Sequence, residues 1–145
     1  MAKTIVMDCD PGIDDAAALV CAMLDPKIDL KLVSTVAGNV SVDKTTNNAL
    51  KIAEFVGSNV PVASGAEHPL IKPFEDAAQV HGESGMAGYD FPAPSRHPLQ
   101  QTAVQALREV LMAADQPVTV VATGAYTNIA LLLSEYSQVK GKIDR

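Results

Sequence analysis

Two kinds of hydrophobic pattern alternate along this chain. Thr4-Ile5-Val6-Met7 is a short apolar, β-branched run stopped by acidic residues, the pattern of a strand buried on both faces. Pro11-Gly12 breaks it, and residues 14–24 then read as a helix, rich in Ala, Leu, Val and Met with acids in the first turn. A second strand is expected over 30–37, ending in Gly38-Asn39. Ser41 stands where an N-cap would open the next helix, whose stripe runs through Val42, Ala49, Leu50, Ala53 and Val56 until Gly57 closes it. Val60-Pro61-Val62 reads as a short third strand.

Periodicity lapses over 64–99, a stretch that holds most of the prolines and several glycines. A loop so long inside a compact domain tends to be functional. Thr102 and Gln105 then form a capping-box pair, and Ala103, Leu107, Val110, Leu111 and Ala114 mark a helix face. A fourth strand over 118–122, a Thr123-Gly124 turn and a helix over 127–134 complete the pattern. Strands separated by helices imply an α/β fold: a doubly wound, mainly parallel sheet with helices on both faces and right-handed crossovers. Such sheets bind ligands at the carboxyl ends of their strands, where Asp8, Asp10, Asn39 and Thr123 fall.

Composition narrows the classes. The 145 residues are 48% hydrophobic and 19% charged, enough for a core and unlike a disordered tail. Lys and Arg number 11 against 17 Asp and Glu, a net charge of −6, which argues against a nucleic-acid partner. Apolar runs fall short of the roughly 18–20 residues that a membrane span needs. No leader pattern opens the chain, and Cys9 and Cys21 are too few for a disulfide scaffold. The expectation is a soluble, cytoplasmic protein without a membrane partner. Cys21 and the five Met read as core, and Cys9, between two acids, as a thiol with a raised pKa.

The dense chemical feature is Asp8-Cys9-Asp10-Pro11-Gly12-Ile13-Asp14-Asp15. Four carboxylates in eight residues repel one another, and a hard divalent cation reverses the sign of that interaction. An extended segment puts Asp8 and Asp10 on one side, and the Pro-Gly turn returns Asp14 and Asp15 at a helix start. A solvated acidic loop with helix-capping aspartates is the plainer reading. The density of the octet favours the metal.

Asp8-x-Asp10-Pro11-Gly12-x-Asp14-Asp15 after an N-terminal strand resembles the inosine–uridine-preferring nucleoside hydrolases, which split nucleosides into ribose and base. The resemblance continues through Val36-Ala37-Gly38-Asn39, His81-Gly82-Glu83-Ser84-Gly85 and Thr123-Gly124-x-x-Thr127-Asn128-Ile129-Ala130, in the family's order. It implies that Asp10, Asp15 and the Thr123 carbonyl hold a Ca²⁺ together with a water and the ribose hydroxyls. It implies that Asp10 takes the water's proton and that Asp14 and Asn39 bind the ribose. His81 would lie near the nucleobase, in base contact or as an aid to the leaving group. Asp8 is then a group that orients its neighbours. The reaction would be displacement at the anomeric carbon through an oxocarbenium-like state. A ribonucleoside substrate, a role in nucleoside catabolism and salvage, and a homo-oligomer, dimer or tetramer, follow from the same resemblance.

Two departures stand out. Ala125-Tyr126 replaces the family's usual Pro-Leu, which puts a bulky ring beside the Thr123 carbonyl. Family members are also considerably longer, and their remaining half carries another metal-binding aspartate. The expectation is therefore a single α/β domain over 1–145 that is the N-terminal part of a longer nucleoside hydrolase domain and has little activity alone. A Mg²⁺-dependent phosphohydrolase also places Asp-x-Asp after a first strand, but Pro11-Gly12 and the Asp14-Asp15 pair are foreign to it. An EF-hand is broken by Pro11 and a missing closing Glu. A non-catalytic remnant is the remaining alternative. His68 and His97, each before a proline, read as surface residues.

Overall fold

A computed structural model describes residues 2–145. Its elements run β1 (Lys3–Cys9), α1 (Ile13–Leu24), β2 (Ile28–Thr35), α2 (Val42–Phe55), β3 (Val62–Ser64), α3 (Ala78–His81), α4 (Ala103–Ala113), β4 (Thr119–Ala122) and α5 (Thr127–Glu135). A 3₁₀ turn follows over Ser137–Lys142. The strands form one parallel sheet in the order β3-β2-β1-β4. The chain therefore starts in the middle, winds outward to β3, then returns to the other side of β1. That reversal opens a crevice between the carboxyl ends of β1 and β4, the place where such sheets take ligands.

Strand alternation builds a core on each face of the sheet. Ile5, Met7 and Cys9 of β1 pack with Leu19 of α1 and Ala49, Ile52 and Ala53 of α2. Val6 packs on the opposite face with Leu107 and Leu111 of α4 and Leu132 of α5. Each fully buried leucine contributes about 1.5–3 kcal/mol of transfer free energy. Lys3–Cys9 is buried from Ile5 onward because both faces are covered, so its hydrophobic run is nearly continuous.

The predicted elements are present, with shifted ends. The third strand begins at Val62 rather than Val60, since Pro61 has no N–H for the ladder and offers only its carbonyl, to the Val33 amide. Ser41 occupies the N-cap of α2 without a side-chain capping bond. Gly57 follows that helix at φ 70°, and its amide donates to the Glu54 carbonyl. The Thr102–Gln105 capping box of α4 forms in both directions. Cys21 corrects the core assignment: it is exposed, because two residues beyond buried Leu19 is the opposite side of a helix. Met112 is likewise exposed, whereas Met7 and Met86 are buried; Met1 lies outside the described residues. No helix among the described residues is long and apolar enough to cross a membrane.

The long loop is irregular apart from the single turn of α3, yet it is well fastened. Asn48 of α2 donates to the carbonyls of Pro11 and Ser84. Lys44 donates to the Glu83 carbonyl. At its far end the Glu54 carboxylate accepts from the amides of Ser95 and Arg96, while the Arg96 guanidinium donates to the carbonyls of Ser58 and Val60. Phe55, Tyr89 and Phe91 stack edge to face beside that clasp.

Candidate functional site

The acidic octet spans the end of β1, a turn through Pro11 and Gly12, and the first turn of α1. Two of its carboxylates are buried at the rim of the sheet. Asp15 is buried at the start of α1, where the helix dipole favours its charge, and its Oδ2 accepts from the Asp10 amide at 3.1 Å. Asp10 is 8% exposed; its Oδ2 accepts from the Asn39 amide at 2.7 Å. Burial pushes the Asp10 carboxyl up from 3.8 to about 6, with the Asn39 amide opposing and the neighbouring Asp15 charge adding to the rise.

Asp8 points elsewhere. It sits fully buried in the ladder between β2 and β4, where Oδ1 accepts from Ser34 Oγ at 2.5 Å and Asn128 Nδ2 at 2.8 Å. Its Oδ2 has no hydrogen-bond partner. Burial pushes this carboxyl to about 6 as well, against the two donors. Desolvation and the charges of Asp15, Asp8 and Asp10 raise the Cys9 thiol well above its ordinary value, so no thiolate is available there. Asp14, on the first turn of α1, is exposed. The four carboxylates thus divide, one buried in the sheet, two buried at the rim and one exposed.

The remaining predicted residues come to the same edge. Asn39 follows β2 and clamps Asp10 twice, through its amide and through Nδ2, which donates to the Asp10 carbonyl at 2.8 Å. His81 arrives from the long loop at the end of α3, and its Nδ1 accepts a long hydrogen bond, 3.4 Å, from the Ile13 amide. Thr123 follows β4, and its amide donates to the Asp8 carbonyl at 2.9 Å. Tyr126 is 68% exposed and its ring turns away, lining a groove of about 550 Å³ with Leu70, Ile71 and Pro73. It does not crowd the rim.

Among the described residues no three His, Cys, Asp or Glu side chains gather as a metal cage. The donor set still fits a hard cation. The Asp15 carboxylate lies on the Asp10 amide and its charge adds to the rise at the Asp10 carboxyl, a repulsion that a positive ion at the rim would relieve. A backbone fitted tightly around them points the same way: a Cβ on Gly38 would overlap the Asp10 carboxylate. Sequence reasoning named Asp10, Asp15, Asn39 and His81, which the fold brings to one edge, but assigned no role to Ser34 or Asn128. Ser34 was legible in principle, as a hydroxyl inside an apolar strand. Asn128 is polar on a helix face that also carries buried Leu132, and helical spacing alone does not say whom it meets.

Comparison with known proteins finds relatives of one kind over nearly the whole chain. The sequence profile described as "Inosine-uridine preferring nucleoside hydrolase" matches residues 5–145. A non-specific ribonucleoside hydrolase RihC from Klebsiella pneumoniae subsp. pneumoniae is 54% identical over 145 residues, covering 100% of this chain and 48% of that protein. One from Salmonella paratyphi B is 55% identical over 141 residues, 97% of this chain and 46% of the relative. The chain spans about half the length of the curated relatives it matches. Among solved structures, a purine-preferring ribonucleoside hydrolase from Gardnerella vaginalis superposes with a TM-score of 0.92 at 29% identity, over 97% of this chain and 46% of that one. A plant nucleoside hydrolase gives 0.92 at 31% identity, over 99% and 46%.

Proposed function

Since the chain belongs to the inosine-uridine preferring nucleoside hydrolase family, we propose that it carries one wall of a calcium-dependent site for hydrolysing the N-glycosidic bond of ribonucleosides. It would form the N-terminal part of the hydrolase domain. Asp10, Asp15 and the Thr123 carbonyl would hold the ion. When bound, the ion supplies the positive charge that lets both carboxylates stay ionised side by side and makes water at the rim more acidic. The observation that carries this reading is the Asp15 carboxylate held on the Asp10 amide at the β1–β4 crevice, with the Asp10 carboxylate held beside it by the Asn39 amide.

An aspartate at the rim is ionised at neutral pH and able to accept a proton. Asp10 takes the proton of the water that adds to the anomeric carbon as the bond to the base breaks. Asn39 holds Asp10 in place through two hydrogen bonds, and Asp14 and Asn39 bind ribose hydroxyls. The Ile13 amide donates to His81 Nδ1, which leaves the imidazole N–H on Nε2, able to donate a hydrogen bond to the nucleobase. Carboxylates around the ribose favour the positive charge that develops on it. Nucleoside salvage is the metabolic setting of such a reaction.

The 145 residues alone should hydrolyse little nucleoside, because two carboxylates and a carbonyl fall short of the roughly 6–8 oxygens calcium takes. Calorimetric titration with CaCl₂ of the chain, of Asp10→Asn and of Asp15→Asn tests the metal, and inosine and uridine hydrolysis tests the chemistry. Loss of calcium binding in both variants is expected. Unchanged binding in either would remove the proposed ligand set, and turnover by the chain near that of a full-length relative would overturn its expected inactivity.

A further inference from the structure

Asn128, in the first turn of α5, is fully buried and hydrogen-bonded through every atom its carboxamide offers. Nδ2 donates to Asp8 Oδ1 at 2.8 Å and to the Thr35 carbonyl at 2.9 Å, and Oδ1 accepts from the Ala66 amide at 2.9 Å. Two acceptors on one side and a donor on the other leave a single orientation for the amide. An aspartate would set its charge against both Asp8 and the Thr35 carbonyl. The chain comes so close that a Cβ on Gly65 would overlap both polar atoms of the Asn128 side chain and the Thr35 carbonyl.

Two of these partners are tied directly to rim segments. Asp8 lies two positions before Asp10, and its carbonyl accepts from the Thr123 amide. The Ala66 carbonyl accepts from the Ala37 amide, immediately before the Gly38-Asn39 turn whose Asn39 amide holds Asp10 Oδ2. One carboxamide therefore joins the ends of β1, β2 and β3 to the helix after β4. These are the four segments that bring Asp10, Asn39, the long loop of His81 and Thr123 to one edge.

We propose that Asn128 is the positioning residue of this site, fixing the height of the Asp10 and Thr123 oxygens relative to each other and to the long loop. It touches neither substrate nor ion, and acts through Asp8 and Ala66. The proposal rests on the calcium reading above, and the experiment separates the two. Asn128→Ala removes the hub, while Gly65→Ala displaces it with its chemistry intact. Calcium titration and residue-resolved amide hydrogen exchange are measured on the 145-residue chain and both variants.

Calcium affinity should fall about 10–100-fold in each variant, as when groups that orient metal ligands are removed. Exchange at Ala66, Asn39 and Thr123 should accelerate together, while amides of the β1–β2 ladder keep their protection. Faster exchange at Ala66 alone, with calcium affinity unchanged, would overturn the proposal and leave Asn128 a local strut. If the unaltered chain binds no calcium, the ligand assignment fails, and the exchange pattern still decides whether Asn128 joins the rim segments.

Discussion

Asp8 and Asp10 are carboxylates held where the folded chain resists their charge. Both have folded pKa values raised from 3.8 to about 6, so between those limits the folded state binds protons that the unfolded state has released. Without metal, stability should therefore fall as pH rises through that window and level off above it. For buried Asp8 the change is on the order of 2–3 kcal/mol. Glu54 and Asp144 have lowered values and act in the opposite sense, losing their contribution as pH falls, but both carboxylates are open to solvent and weigh little. Urea melts across this range should show the slope, Asp8→Asn should flatten it, and calcium should shrink it by favouring ionised Asp10. A second prediction concerns Gly38→Ala. The added methyl would push Asp10 away from the Asn39 amide, abolishing calcium-induced stabilisation in thermal melts while the fold persists. At this scale the charged partners were legible because repulsion among them demands an explanation. Asn128 was not, since its worth depends on three contacts 25 or more residues from one another in sequence.

Among the elements, those fixed by local chemistry were read most closely. The capping box predicted α4 to within one residue, and Thr102→Ala should lower stability by about 1 kcal/mol in chemical denaturation. The long loop shows where local reading stops. Its lack of period was correctly seen, but its fastenings run to α2, to α5 and to the segment around Ser58 and Val60, and no pattern within the loop names those partners. Arg96→Ala should free the segment around Tyr89–Arg96, seen as faster proteolytic nicking there with α2 still protected from hydrogen exchange.

Across the molecule, the βα alternation implied a parallel sheet, and the order β3-β2-β1-β4 placed the crevice beside the octet. Strand order is set by which faces are covered, so it follows from packing across the whole chain and only its class was readable beforehand. Beyond β4 the last residues add to the sheet: the Val118 and Val120 amides donate to the carbonyls of Lys142 and Arg145, and Lys3 pairs with Asp144 at 2.6 Å. Removing 142–145 should lower the melting temperature by about 2–4 °C for each kcal/mol of pairing lost, read by calorimetry.

The bonds that secure the long loop have a common grammar. Lys44, Asn48, Glu54 and Asn128 belong to the framework, and each grips main-chain atoms of the loop: the carbonyls of Glu83 and Ser84, and the amides of Ser95, Arg96 and Ala66. Peptide groups are the same whatever residue carries them, so these four moorings do not read the loop's spelling; the Arg96 guanidinium, which reaches back to Ser58 and Val60, is the exception. The segment is in effect a replaceable cassette. Apart from Arg96, Tyr89 and Phe91, its side chains are free to be rewritten while the sockets that receive it stay as they are.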